Sequence, residues 1–385
     1  MHSEDIITDN IKPLLLVLGV HLKSEGYPNV LYRIRDLRHC ESFQISEINI
    51  PMWKQPGGHW QESDLFLRIW RAAWSHILVL LQYVFAKKDT VVYVPYPAVF
   101  LLALISLLPR GLRPKKLVAD AFISIYDTVV HDRGILFPQQ LAARLLKAVE
   151  ARGYGVADVL VTDTEENVQH LEHMFSIRKG NVVAAPLSTD EENFGPKTYH
   201  PGGETCRVLF IGTFVPLHGV DVIVRAAEQL KTRREIRFKI IGNGQTADTV
   251  DRYLKEKKAD IEWERGWQTP AQLAREIEQA DICLGIFGRG DKAQRVCPFK
   301  IYSYCAVGRA IITADTRWTR RVLEGLSYEP FICVPPGDPA ALADAVAKLA
   351  EQPALREKGS VNSRRFYESK LSNDVAMQRL MGFIA

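Results

Sequence analysis

Short, nearly uninterrupted apolar runs recur along this chain at helix-length intervals. The run PLLLVLG from Pro13 to Gly19 has the length and aliphatic content of a strand buried on both faces, as strands of parallel sheets are. Val91–Pro95, Lys116–Asp120 and Val159–Thr162 repeat that texture, with helix-length segments such as 137–151 and 165–175 between strands. Strands alternating with helices predict a doubly wound parallel sheet. From Pro186 to Gly203 the composition turns to Pro, Gly, Ser, Thr, Asp and Glu, which reads as a linker. The alternation then restarts: strands at 207–212, 238–242, 261–265 and 282–285, and helices at 220–230, 247–257 and 270–279. The expected fold class is α/β, with two Rossmann-like doubly wound parallel-sheet domains facing each other across a cleft. The first is expected over 1–195 and the second over 205–364, with a last helical segment, 362–383, returning to the first half.

The length of 385 residues agrees with two cores of ordinary size. A net charge of only +4 disfavours a dedicated nucleic-acid binder, and the cations from Arg110 to Lys116 lack interleaved aromatic residues for base stacking. The cysteines show no Cys-x-x-Cys spacing and no nearby histidine pair, so reduced structural thiols are expected and no metal. The apolar run 14–20 is too short for a secretion signal with its flanks, which predicts a cytoplasmic protein. Two further apolar stretches, 77–86 and 98–108, fall short of the roughly 20 residues that span a bilayer and read as buried helices. A second reading has Arg110, Arg113, Lys115 and Lys116 resting on an anionic membrane face.

In open parallel sheets ligands bind beyond the carboxyl ends of the strands. That rule singles out Gly212-Thr213 after one strand and Gly242-Asn243-Gly244 after the next, where glycine lets a backbone approach a phosphate or ribose. Neither is a dinucleotide fingerprint, and no Gly-x-Gly-x-x-Gly follows the first strand, which excludes a dehydrogenase. The richest stretch runs from Gly285 through a basic loop to a helix opening near Pro298. Lys292, Arg295 and Lys300 gather there, where a helix N-terminus with its unpaired N–H groups suits a diphosphate.

From that stretch onward the second half resembles the donor-binding domain of the retaining glycosyltransferases of family four (glycosyl transferases group 1), built in the two-Rossmann GT-B architecture. The matching elements are FIGTF at Phe210 with His218-Gly219, IIGNG at Ile240, Gly266-Trp267, ADICL at Ala280, PFKIYSYCAVG from Pro298 to Gly308, and VPPGD at Val334. The resemblance covers 205–370; the first half shares only the architecture. It implies a nucleotide diphosphate sugar as donor, no metal cofactor, and donor contacts from Gly212, Thr213, His218, Gly242, Gly244, Trp267, Lys292, Arg295, Pro298, Lys300 and Ser303. The family's two glutamates would fall on Arg295 and Ser303, so both carboxylates are replaced. The cations the family places after the first strand of this domain are Thr213 and His218 here, and Lys292, Arg295 and Lys300 are expected to take over that charge, Arg295 and Lys300 as the catalytic pair.

The resemblance places the acceptor against the first domain, near Gly26, Tyr27, Asp120, Asp127 and His131, with Asp132 and Arg133 beside them. It implies transfer of a hexose-type sugar to a glycan or lipid-linked acceptor, the leaving diphosphate taking the acceptor proton. Two other readings stay open: another sugar-nucleotide enzyme of the same architecture (an epimerase or an inverting transferase), or a non-catalytic partner of an active transferase.

Overall fold

The structure, a computed structural model, describes residues 12–25, 27–52, 65–86, 90–200, 203–257 and 259–384. The first half runs β1 (Leu14–Gly19), α1 (Pro28–His39), β2 (Gln44–Asn49), α2 (Leu65–Phe85), β3 (Val91–Val94), α3 (Val99–Ile105), β4 (Lys116–Asp120), α4 (Leu141–Tyr154), β5 (Val159–Thr162), α5 (Glu165–Phe175) and β6 (Val182–Ala184). The second runs β7 (Cys206–Ile211), α6 (Val220–Gln229), β8 (Ile236–Ile241), α7 (Ala247–Lys257), β9 (Ile261–Glu264), α8 (Pro270–Gln279), β10 (Ile282–Leu284), α9 (Phe299–Val307), β11 (Ala310–Ala314), α10 (Arg317–Leu323), β12 (Ile332–Val334) and α11 (Pro339–Glu351). Two helices close the chain, α12 (Pro353–Phe366) and α13 (Asn373–Ile384), with a π-helical turn between them.

Each half forms a six-stranded sheet, in the orders β2-β1-β3-β4-β5-β6 and β12-β11-β10-β7-β8-β9, every pairing parallel. The two Rossmann-like domains expected from the sequence are therefore present. Strand order reverses between β1 and β3 in the first sheet and between β7 and β10 in the second. Those reversals open a crevice at the carboxyl ends of the strands, the place where such sheets receive ligands.

Both faces of each sheet are covered. In the first domain, α2, α3, α4 and α5 pack Val79, Leu102, Ala143 and Leu171 onto one face through Leu16, Val92 and Leu160. Helix α1 covers the other face, where Val30 and Ile34 meet Leu15, Val17 and Val118. Helix α13 joins α1 there with Leu380 and Ile384, so the end of the chain is built into the first domain's core.

Several elements depart from the sequence reading. Strand β2 (QISEIN) is polar and pairs with β1 alone at the sheet edge, so it lacks the apolar run that marks the buried strands. The terminal helix is two helices broken at Tyr367–Leu371, not one from 362 to 383. The linker is not loose: Leu187 and Phe194 are buried between the domains with Phe122 and Tyr302, and the Arg33 guanidinium donates to the Pro186 carbonyl at 2.7 Å. The stretch 77–86, expected to be a buried helix, is the second half of α2, whose outer face carries exposed apolar side chains.

Because Leu380 is fully buried against the first domain, Leu380→Ala should cost about 2–5 kcal/mol of stability. A denaturant melt that assigns the loss to the first domain checks it; an unchanged midpoint would detach α13 from that core.

Candidate active site

The reversal point of the second sheet brings together the turn after β7, the turn after β10 and the start of α9. The first two are tied by their backbones: Phe287 N–H donates to the His218 carbonyl and Gly288 N–H to the Leu217 carbonyl, each at 3.1 Å. Gly219 makes that contact possible. Its φ is +62°, and a Cβ there would stand 2.6 Å from the Phe287 carbonyl carbon, so no side chain fits.

Lys300 is the second residue of α9, capped by Pro298. Its side chain is only about a tenth exposed at 8%, and its Nζ lies 4.5 Å from the Phe210 ring centroid with no hydrogen-bond partner. A Cβ on Gly212 would sit 2.9 Å from that Nζ and 3.1 Å from His218 Cε1, so the bare glycine holds the space in front of the cation. Burial pushes the Lys300 ammonium well below its ordinary pKa, and burial is the sole cause: no carboxylate compensates it. His218 is depressed in the same way, first by burial and then by the Lys300 charge. Its Nδ1 bonds the Thr213 carbonyl, an acceptor only, so Nδ1 carries the hydrogen and Nε2 the lone pair. A buried lysine at the positive end of a helix, with a neutral histidine beside it, is a place made for an anion.

Arg295 and Lys292 go elsewhere. Arg295, buried, spans the cleft: its Nη2 reaches both Asp127 carboxylate oxygens at 3.1 Å, its Nη1 the Asn167 amide oxygen at 2.7 Å, and its Nε Asp291 at 2.9 Å. Its carbonyl accepts from the Thr164 hydroxyl at 2.6 Å, Thr164 being the N-cap of α5. Lys292 donates to the Thr128 hydroxyl at 2.7 Å and lies 3.7 Å from Asp132. His170 stands 3.3 Å from Asp127. Burial alone would raise the Asp127 carboxyl, but the His170 hydrogen bond and the charges of Arg295 and Lys292 outweigh it and hold the carboxyl well below the usual range. Outside this network Arg321 pairs with Glu166, again across the domains.

The structure thus divides the three cations that the sequence groups. Only Lys300 faces Gly212 and His218; Lys292 and Arg295 serve as a clamp to the first domain. The picture of a moved cation set is corrected accordingly, because those two charges are already neutralised by Asp127, Asp132 and Asp291. Pro298 is buried at the cap, and Ser303 is buried one turn into α9. Thr213, Gly242 and Gly244 line the carboxyl edge beside β7 and β8, and the half-exposed Trp267 follows β9 on the same edge.

On the first domain, Asp120 does not face the cleft. It is 2% exposed, accepts from the Tyr93 hydroxyl at 2.8 Å and the Tyr96 N–H at 3.3 Å, and lies 3.6 Å from Arg33. Asp127 likewise is committed to Arg295. Tyr27 caps the start of α1, His131 is exposed with its ring edge-on to Tyr126, and Gly26 lies outside the described residues. Arg113 is spent on the carbonyls of Leu108 and Ser106, at 3.0 and 2.7 Å, which removes it from the proposed membrane cations. Among the described residues no group of three or more His, Cys, Asp and Glu side chains is placed to hold a metal ion. The clamp residues Thr128, Asn167 and His170 carried no signal in the sequence, because what defines them is a partner 43 to 164 positions away.

Residues 205–352, within the second domain, match the family model for glycosyl transferases group 1. No curated protein matches the chain by sequence. Solved structures share the fold: sucrose-phosphate synthase from Thermosynechococcus elongatus (14% identity, TM-score 0.69, covering 97% of this chain and 98% of that one), and Anabaena HepE in complex with UDP (11%, 0.64, 96% and 99%). TarM from S. aureus, as a mutant in complex with Fondaparinux, alpha-GlcNAc-glycerol and UDP, is similar at 12% identity and TM-score 0.59 over 80% of this chain. The chain spans 58% of that TarM.

The clamp makes a prediction. Removing one partner of a buried ion pair costs about 3–5 kcal/mol, so Asp127→Asn should lower the melting temperature clearly at neutral pH. Because the Asp127 pKa is depressed in the folded state, its contribution is present in full above the ordinary carboxylate range and is lost as the pH falls toward the depressed value. The difference between the two melts should therefore start to shrink below about pH 4 and close only as the depressed value is approached; equal melts at pH 7 would show that the clamp contributes nothing.

Proposed function

We propose that the chain is a glycosyltransferase that takes a sugar from a nucleotide diphosphate donor, the diphosphate lying over Gly212 against Lys300 and the start of α9. The observation that carries the reading is the Lys300 ammonium: buried, unpaired, and opened to the strand-order reversal by a glycine. The group 1 match over the second domain supports it, as does the likeness in fold to structures solved with UDP. In this reading Lys300 holds the diphosphate with His218 bordering its place, Trp267 and the turn Gly242–Gly244 flank the nucleoside, and the acceptor comes from the side of the first domain. Stabilising the departing diphosphate by fixed cations and helix-end N–H groups is the main catalytic effect, and no metal is required. The bond from the sugar to the diphosphate breaks, a bond to an acceptor hydroxyl forms, and its proton ends on the diphosphate, with retention at the sugar carbon. A hexose-type donor and a glycan or lipid-linked acceptor, in surface polysaccharide or glycoconjugate synthesis in the cytoplasm, complete the proposal.

The test is a thermal-shift panel of UDP-, GDP-, ADP- and TDP-sugars on the parent protein and on Lys300→Met. Ligands that bind only the folded state raise the melting temperature, so one base should give a shift in the parent and none in the variant. The unliganded variant should melt higher than the parent, because it no longer buries an unpaired cation. A depressed lysine also means that the folded parent binds fewer protons than the unfolded chain, so parent stability rises with pH between the depressed and ordinary values; the variant should lose that part of the slope. An undiminished donor shift in Lys300→Met would refute the site.

A further inference from the structure

The large apolar side chains that this protein leaves exposed are not scattered. Among the described residues, Trp267 and Val361 are the examples in the second half; all the others lie between Leu67 and Leu145. Both domains are Rossmann-like sheets clad in helices, so the contrast is internal. Helices α6, α7 and α11 of the second domain bury their apolar stripes inward through Val220, Val250 and Leu342 and turn polar residues outward. Helix α2 does otherwise: it buries Val79 and Tyr83 and presents Leu67, Ile69, Trp70, Trp74, Leu81 and Phe85 to the outside, Phe85 being 87% exposed. Trp70 and Trp74, 57% and 48% exposed, stack on each other with centroids 6.0 Å apart.

The apolar surface continues past α2. Helices α2, α3 and α4 lie on the same face of the first sheet, and α2 meets α3 where the His76 ring packs edge-on against Phe100. Leu107 at the end of α3, Phe137 before α4, and Leu141 and Leu145 on α4 are exposed as well. The charge on this stretch has one sign. From Leu65 to Lys116 the sole acidic residue in the sequence is Asp89, and from Gly134 to Val149 there is none. Arg71, Arg110, Lys115, Arg144 and Lys147 are exposed there.

We infer that the outer face of α2, α3 and α4 docks on an anionic lipid bilayer, its Trp and Leu side chains entering the headgroup layer and its cations lying against the lipid charge. Two features select a bilayer over a protein partner: stacked tryptophans are suited to the interfacial layer, and a basic apolar face whose described charges are all positive matches an acidic, fluid surface and not a second copy of itself, which would set like charges together. The surface does not cross the membrane, since no helix of the described residues is long and apolar enough. Nor does it rest on the four cations of 110–116 alone, one of which, Arg113, is tied to its own backbone.

The experiment is co-sedimentation of the full chain with vesicles of phosphatidylcholine alone or with phosphatidylglycerol, with tryptophan quenching by brominated lipid. Binding is expected on the phosphatidylglycerol vesicles, reduced by salt and accompanied by quenching. Trp70→Ser/Trp74→Ser should bind roughly tenfold less or worse and lose most of the quenching. This variant touches nothing near Lys300, so its nucleotide-sugar thermal shift should equal the parent's; that separates failure of the membrane surface from failure of the donor site. Equal binding of variant and parent, or a soluble dimer built on this face with no vesicle binding, would overturn the inference.

Discussion

An ammonium buried without a counter-charge is the constraint around which the second domain is arranged. Lys300 is placed where its charge is most costly: at the positive end of α9, beside a histidine that its own charge helps keep neutral, and with the Phe210 ring centroid 4.5 Å from its Nζ. A cation–π contact offsets part of the desolvation, not all of it, and the pKa falls. No packing argument calls for a lysine there. A methionine would fill the same space, so the residue makes sense as half of an interaction whose other half is an anion. Gly212, Gly219 and the backbone bonds between the turns after β7 and β10 then read as the means of keeping that anion's place open and fixed.

The same loop also reaches the other way. Within a few residues of Lys300, Arg295 and Lys292 leave the donor side and bind the first domain through Asp127, Asn167, Thr128 and Asp132. Closure of the cleft and presentation of Lys300 are therefore functions of one segment, since α9 cannot shift without pulling on the clamp. A carboxylate in place of Arg295 would face Asp127 and push the domains apart. The buried linker, with Leu187 and Phe194 held between the two cores, and α13, which carries the end of the chain back to β1, fix the domains from the opposite side.

The alternation of short apolar runs with helix-length segments was enough to foresee both sheets, because a strand buried on both faces leaves a run that little else imitates. It was silent on β2, whose edge position allows QISEIN, and it misjudged α2, where an apolar run meant an outer surface and not a core. The strand-end rule led to Gly212 and the helix-start reading to Lys300, which do meet, beside the His218 that the resemblance supplied. It failed for Asp120, since a strand-end carboxylate can turn inward as readily as outward, and Tyr93 and Arg33 take it there. Grouping Lys292, Arg295 and Lys300 by nearness in sequence failed for a related reason: a loop between a strand and a helix can send neighbouring side chains into different domains.

The central claim is that Lys300, buried without a counter-charge, waits for a diphosphate. Calorimetric titration with the nucleoside diphosphate of the preferred base, repeated in buffers of different ionisation enthalpy, reads this directly. Pairing with the diphosphate favours the ammonium, so binding should take up protons at pH values between the depressed and the ordinary lysine pKa, and the uptake should vanish in Lys300→Met. Binding with no exchange of protons at any pH from neutrality to the ordinary lysine range would contradict the account.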